Sequence, residues 1–195
     1  MATAPRIVLA SQSPRRRELL AVLGVDCRVV VTDLPEVAEP GESAEAFVVR
    51  LALQKAQAGR ALSGDELPVL GADTVVVRDE VILGKPVDRD EAVAMLCSLS
   101  GREHRVLTAV AMVDAHRQQS RLSTSRVRMC AFSRAAAVAY VASGEADDKA
   151  GAYAIQGRAA LLVESIEGSH SGIMGLPLYE TGELLRHFQI ELLPS

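Results

Sequence analysis

The run Val69-Leu70-Gly71-Ala72-Asp73-Thr74-Val75-Val76-Val77 constrains this chain more than any other stretch. Apart from Asp73 and Thr74 it is apolar, and it reads as a strand. Aspartate is depleted in strands, and an unpaired buried carboxylate costs several kcal/mol or takes up a proton. Asp73 is therefore either structural, capping a bulge at Gly71, or a metal-binding carboxylate or general base at the edge of the sheet.

The surrounding pattern alternates helices and strands. Arg6–Ala10 is a short apolar run that suits a buried strand. Pro14 suits the first turn of a helix that carries Leu19, Leu20 and Leu23 on one face and stops at Gly24. Cys27–Val31 reads as a strand and the acidic, proline-bearing Asp33–Glu42 as a loop. Ser43 caps a long helix to about Leu62. Val81–Leu83 is a short strand, and Asp88-Arg89-Asp90-Glu91 has the capping-box spacing for a helix to about Leu99. Two strands follow, His104–Asp114 and Ser120–Phe132, the second with one wet face carrying Arg126 and Arg128. Ser133 caps a helix ending at Gly144. Glu145–Gly157 is a loop, Ala160–Glu167 a strand, Gly168–Gly175 a loop, Pro177–Phe188 a helix and Ile190–Leu193 a closing strand. Hairpins interrupt the βαβ order, so the expected class is α/β with a mixed sheet, or α+β. Gly84-Lys85-Pro86 is a candidate hinge between two lobes. No linker is long enough to make them independent, so residues 1–195 are expected to form one domain.

Three further segments break the local pattern, as functional sites tend to do. Ser11-Gln12-Ser13-Pro14-Arg15-Arg16-Arg17 puts two hydroxyls and three arginines at a strand-to-helix turn. Free N–H groups and the helix dipole favour an anion there, and arginine adds bidentate phosphate contacts. The same cations oppose the dipole, so the turn is either a phosphate site or a solvated basic patch paired with acids such as Glu18 or Asp26. It is no Walker loop, for it lacks the glycine-rich stretch. Lys55 extends the apolar stripe of Val48, Leu51 and Ala52, and must either snorkel outward or meet a buried anion. Asp147–Gly157 is rich in small residues that allow close backbone approach, and Gln156 carries a donor and an acceptor that can pair with a base edge. A surface loop with a capped turn has the same composition.

Composition excludes several classes. The chain has 195 residues, within the range of roughly 100–200 residues for one domain, so a sizeable core is available. Aromatic residues are 3%, with no Trp, and the formal net charge is −4. Stacking platforms and a global field for nucleic acid or anionic membrane are both lacking. Cys27, Cys97 and Cys130 have no metal-ligand spacing and read as core thiols in a reducing compartment. Met1–Ala4 has no apolar signal core, and no run reaches the ~18 residues of a membrane span. A cytoplasmic location is expected.

Taken together, these segments resemble the Maf family of nucleoside triphosphate pyrophosphatases from Ile7 to Leu192. The resemblance rests on Leu-Ala-Ser11-Gln-Ser13-Pro-Arg15-Arg16, Glu36, Lys55 in Gln-Lys-Ala, Gly-Ala-Asp73-Thr74-Val-Val, Gly84-Lys85-Pro86, Asp148-Lys149-Ala-Gly-Ala-Tyr153-Ala-Ile-Gln156-Gly, and Gly175-Leu-Pro. It implies an elongated mixed sheet flanked by helices, with two lobes around a cleft as in the inosine triphosphate pyrophosphatase-like fold. It also implies hydrolysis of a nucleoside triphosphate to the monophosphate and pyrophosphate with Mg²⁺ or Mn²⁺, and a homodimer. Thr74 and the Lys149…Gln156 segment resemble the branch acting on dTTP and UTP. A 7-methyl-GTP pyrophosphatase, or a nucleotide-binding regulator of cell division without turnover, are the alternatives. By the same resemblance Asp73, Glu36, Lys55 and Lys85 are catalytic, with Asp73 and Glu36 on the metal. Ser11, Ser13, Arg15, Arg16 and Lys149 bind phosphate, while Arg15, Thr74 and Gln156 choose the nucleotide. Lys55 and Lys85 would neutralise the triphosphate and the leaving pyrophosphate. Arg17 has no role assigned, and His170 stands where many relatives carry an aromatic ring.

Overall fold

A computed structural model describes residues 4–64 and 66–192. Strand β1 (Ile7–Ala10) is buried along its whole length. Helix α1 (Pro14–Val22) starts with Pro14 in its first turn and buries Leu19 and Leu20. Its end is a Schellman motif: Gly24, at φ 68°, lets Val25 N–H reach Leu20 O and Gly24 N–H reach Ala21 O. Strand β2 (Cys27–Val30) and helix α2 (Ala44–Ser63) follow. Ser43 Oγ caps α2 by accepting from the Ala46 N–H at 3.2 Å.

Strand β3 (Val69–Arg78) turns back into β4 (Val81–Leu83) through Asp79 and Glu80, which both have positive φ. That is what a two-residue primed turn requires. Asp79 there pairs with Arg102 at 2.7 Å and Glu80 with Arg105 at 2.9 Å. Helix α3 (Arg89–Leu99), strands β5 (Glu103–Val113) and β6 (Gln118–Met129) and helix α4 (Arg134–Val141) come next. Strand β7 (Val163–Glu167), the single-turn α5 (His170–Ile173) and α6 (Leu178–His187) complete the order. The sheet runs β2-β1-β3-β5-β6-β7, with β4 also on β3. β1 is parallel to β2 and β3, whereas β4 on β3 and β7 on β6 are antiparallel. The sheet is mixed and the class is α/β, as expected.

The chain divides into two compact units. The first comprises the chain up to Asp73, Thr108–Ser123, and the chain from Gly175 on; the second comprises Thr74–Leu107 and Thr124–Met174. The divisions fall inside β3, β5 and β6, and Gly84-Lys85-Pro86 lies within the second unit. It is therefore not the hinge that its composition suggested.

In the first unit α2 lies against β1 and β3. Val48, Leu51, Ala52 and Ala56 are fully buried, as are Val8, Leu9, Leu70 and Val69. Each large aliphatic side chain contributes about 1.5–3 kcal/mol on burial. Gly71 permits the close approach, because a Cβ there would strike the Ala52 carbonyl and the Ala56 N–H. In the second unit Leu96, Leu99, Val106, Val127, Met129, Tyr140, Tyr153 and Ile155 share one apolar cluster. Along β6, Thr124, Arg126 and Arg128 are exposed while Ser125, Val127 and Met129 are buried, so the wet face is as expected.

Several boundaries differ from the sequence reading. Arg158–Leu162 is a 3₁₀ turn, so β7 begins at Val163 rather than Ala160. Ser169 Oγ accepts from Gly172 N–H at 3.0 Å and nucleates α5 inside the expected Gly168–Gly175 loop. Helix α4 stops at Val141 and the chain turns to Gly144. No strand forms over Ile190–Leu192, and Leu193 lies outside the described residues. The cause is Gln189, at φ 63°, which closes a second Schellman motif: Ile190 N–H bonds Leu185 O at 2.8 Å and Gln189 N–H bonds Arg186 O at 2.9 Å. Ile190 is thereby tucked in, 7% exposed, instead of pairing with a strand. Cys27, Cys97 and Cys130 are free thiols, but half-buried rather than in the core.

Gly71→Ala should destabilise the protein by about 1–3 kcal/mol, since α2 must move away from β3 to admit the methyl group. Urea unfolding measures it, and a change within 0.5 kcal/mol, an order-of-magnitude threshold for ordinary surface substitutions, would show that the approach is not tight.

Candidate active site

The first unit gathers most of the residues singled out in the sequence. Asp73 ends the part of β3 that belongs to this unit and is 5% exposed. Lys55 rises from the buried stripe of α2 and is 8% exposed. It does not snorkel outward: its ammonium donates to Asp73 Oδ1 at 2.5 Å and to Glu36 Oε1 at 2.6 Å. Glu36 reaches in from the loop between β2 and α2, with its side chain partly open to solvent. The anion that Lys55 meets is thus a pair of the protein's own carboxylates.

The strand-to-helix turn stands beside this cluster. Ser11 is buried, and its Oγ accepts from Ser13 N–H at 3.1 Å and from Arg16 Nη1 at 3.3 Å. Arg16 Nε also donates to Gly175 O at 2.8 Å. Ser13 precedes α1 but makes no side-chain cap bond, and no acidic residue lies in the first turn. Arg15 is half-buried, and Arg17 faces water.

Electrostatics tie the members together. Burial pushes the Asp73 carboxyl up, against the stabilising charge and hydrogen bond of Lys55 and the charge of Arg16, while Glu36 pushes it further up. Burial likewise lowers the Arg16 guanidinium, and Asp73 and Glu36 pull it back. Glu36 and Asp73 against Lys55 and Arg16 make a formally neutral set in which each charge depends on the others. Among the described residues no group of three His, Cys, Asp or Glu converges as a metal cage. Two carboxylates aimed at one cation nevertheless suit Mg²⁺ or Mn²⁺, which binds through one or two carboxylates and completes its shell with water and phosphate oxygens.

The second unit holds the other candidates. Thr74 is half-buried on β3 and Lys85 is exposed after β4. Lys149 Nζ donates to Asp147 O at 2.8 Å. Gly151–Ile155 are all buried, and Gln156, next in line, is exposed. The small residues of this segment serve packing: a Cβ on Gly151 would strike Val76, and one on Gly157 would strike the Glu145 carboxylate. His170, on α5, is exposed.

Sequence reasoning missed His104, Tyr140 and Glu145, which hold the Gln156 segment. His104 Nε2 lies 2.8 Å from Tyr153 Oη, and Ala154 N–H donates to Tyr140 Oη at 3.0 Å. Arg158 N–H donates to the Glu145 carboxylate at 2.7 Å. His104 at the head of an apolar strand was the available signal; Tyr140 and Glu145 gave none.

These features place a strand-borne acid, a helix-borne lysine and a basic helix N-terminus together in the first unit. Residues 6–188 match the family model described as "Maf-like protein", and the chain belongs to that family. It is 54% identical over 192 residues to a protein of Alkalilimnicola ehrlichii named dTTP/UTP pyrophosphatase, covering 96% of this chain and 95% of that one. A second protein of that name, from Aromatoleum aromaticum, is 53% identical over 196 residues, with 94% and 95% covered. Among solved structures, the Staphylococcus aureus Ham1 protein is similar at a TM-score of 0.46 and 16% identity, over 63% of this chain and 71% of that one.

His104 yields a pH prediction. It is 3% exposed, and burial lowers its pKa to about 4 from 6.5. Between these values the unfolded chain binds the proton and the folded one does not, so stability falls as pH drops from 6.5 toward 4. The loss attributable to His104 should reach up to about 3 kcal/mol. Urea unfolding from pH 7 to pH 4.5, conditions chosen to bracket the ordinary histidine range, should show a shallower acid slope for His104→Gln than for the parent. Equal slopes would contradict it.

Proposed function

We infer that this chain hydrolyses dTTP and UTP to the nucleoside monophosphate and pyrophosphate. The observation that carries the reading is the Lys55–Asp73–Glu36 cluster, set beside a basic helix N-terminus in a chain of this family. The extensive similarity to proteins named dTTP/UTP pyrophosphatase supports the choice of nucleotide.

The reaction adds water across the anhydride between the α- and β-phosphoryl groups. One P–O bond forms to the water oxygen and one P–O bond to the bridging oxygen breaks, which releases the monophosphate and pyrophosphate. Such chemistry needs positioning and charge neutralisation more than covalent catalysis. Asp73 is suited to orient the water and take its proton, because burial raises the affinity of its carboxylate for one. Lys55 keeps that buried carboxylate charged, and therefore unprotonated and able to accept the proton. Glu36 and Asp73 would hold Mg²⁺ or Mn²⁺, which would supply charge neutralisation for the phosphates and acidify a bound water. Ser11, Ser13, Arg15, Arg16 and Lys149 would bind phosphate oxygens, with Lys85 on the leaving pyrophosphate. Arg15, Thr74 and Gln156 would select the nucleotide. A homodimer in the cytoplasm completes the proposal; among the described residues no helix is long and apolar enough to cross a membrane.

A nucleotide panel with Mg²⁺ or Mn²⁺ tests the reading. dTTP and UTP should give equimolar pyrophosphate and monophosphate, and Asp73→Asn should lower the rate roughly 10²–10⁴-fold with the far-UV spectrum unchanged. Preference for 7-methyl-GTP, or full activity in Asp73→Asn, would overturn it.

A further inference from the structure

The segment that carries Gln156 is fixed on both sides by one pair of residues. Ala154, two positions before Gln156, donates its N–H to the Tyr140 hydroxyl at 3.0 Å. Arg158, two positions after, donates its N–H to Glu145 Oε2 at 2.7 Å. Each accepts a backbone N–H, the phenol of Tyr140 through its oxygen and the carboxylate of Glu145 through Oε2. The two anchors bracket Gln156, one two residues before it and the other two residues after.

The rest of the segment adds rigidity. Tyr140 is 6% exposed, and Ala154 and Ile155 are buried on one side of Gln156. Gly157 packs against Glu145 so closely that a Cβ would strike its carboxylate. Farther back, Tyr153 meets His104 at 2.8 Å with rings edge to face, and Gly151 N–H bonds Gly84 O at 3.0 Å. From Gly151 onward the first exposed side chain is the Gln156 amide. A backbone held this way is already ordered before contact, and a small displacement of it would move the Gln156 amide away from its target.

We propose that Tyr140 and Glu145 are positioning residues for nucleotide choice, which set the angle at which Gln156 meets the nucleobase. The inference rests on the role given to Gln156 under Proposed function. Neither residue touches substrate in this scheme; each acts through Gln156.

The test is a set of variants of the full chain: Tyr140→Phe, Glu145→Ala, Glu145→Gln, Gln156→Ala and the double Tyr140→Phe/Gln156→Ala. For each, kcat and KM are measured with dTTP and GTP. Tyr140→Phe and Glu145→Ala should raise KM for dTTP and cut dTTP-over-GTP discrimination roughly tenfold, with kcat for dTTP within about twofold. Glu145→Gln keeps an acceptor for Arg158 N–H, and should stay near the parent. Tyr140→Phe should add nothing on the Gln156→Ala background. Amide exchange at Ala154 and Arg158 should speed up in Tyr140→Phe and Glu145→Ala, which reads the loosened segment independently of turnover. If Gln156→Ala changes discrimination but Tyr140→Phe and Glu145→Ala only lower stability, the positioning role is wrong and the reading of Gln156 stands. If Gln156→Ala leaves discrimination unchanged, the reading of Gln156 fails and this inference with it.

Discussion

The first unit is organised around a charge that it cannot expose. Lys55 sits on the buried stripe of α2, and an unpaired ammonium there would cost several kcal/mol. Asp73 on β3 has the same problem with opposite sign. Each solves the other's at 2.5 Å, and Glu36 adds a second acceptor at 2.6 Å. The pairing demands that helix and strand lie close, which the absent side chain of Gly71 and the small Ala52 and Ala56 allow. Small residues and the ion pair are therefore one requirement seen twice. A buried pair of this kind is weak evidence for net stability, since desolvation consumes most of the attraction. Its value lies in holding a basic carboxylate and a cation at a fixed spot.

A chain of net charge −4 can still gather cations at one place. Arg16 is anchored by Ser11 and the Gly175 carbonyl rather than left to solvent, and Ser13 leaves the first turn of α1 without a side-chain cap. The cations are local and held in place, so they owe little to the field of the whole molecule. In the second unit, neutral hydrogen bonds through Tyr140, Tyr153 and His104, with Glu145 as the charged member, hold a single exposed amide. Charge is concentrated at one place and shape at another.

Much of this was legible in the sequence because it appears there as a violation. Aspartate inside an apolar strand, and lysine on an apolar helical stripe, cannot be read as ordinary surface. What the sequence did not reveal was that the two satisfy each other, since they lie on different elements and their pairing depends on helix-to-sheet register. Glu36 was reached by resemblance alone, for an exposed acid in an acidic loop carries no local anomaly. The Asp147–Gly157 stretch was only half legible. Its small residues suggested close backbone approach to a ligand, and the structure gives Gly151 and the adjoining Gly157 a packing reason as well, since Val76 and Glu145 press on them. The closing strand was lost to Gln189, a residue with no sequence signal for the left-handed conformation that a helix C-cap imposed on it. The unit boundaries, falling inside β3, β5 and β6, leave no compositional trace at all.

A double-mutant cycle on Lys55 and Asp73, read by urea unfolding at neutral pH, bears most directly on the central ion pair. Lys55→Met leaves the buried Asp73 carboxylate beside Glu36 without its cation, and should cost about 3–5 kcal/mol. Adding Asp73→Asn to it removes the stranded charge and should recover most of that loss, giving a coupling energy of roughly 2 kcal/mol or more. Additive single losses, within about 0.5 kcal/mol, would contradict the pairing and leave both residues to be explained separately.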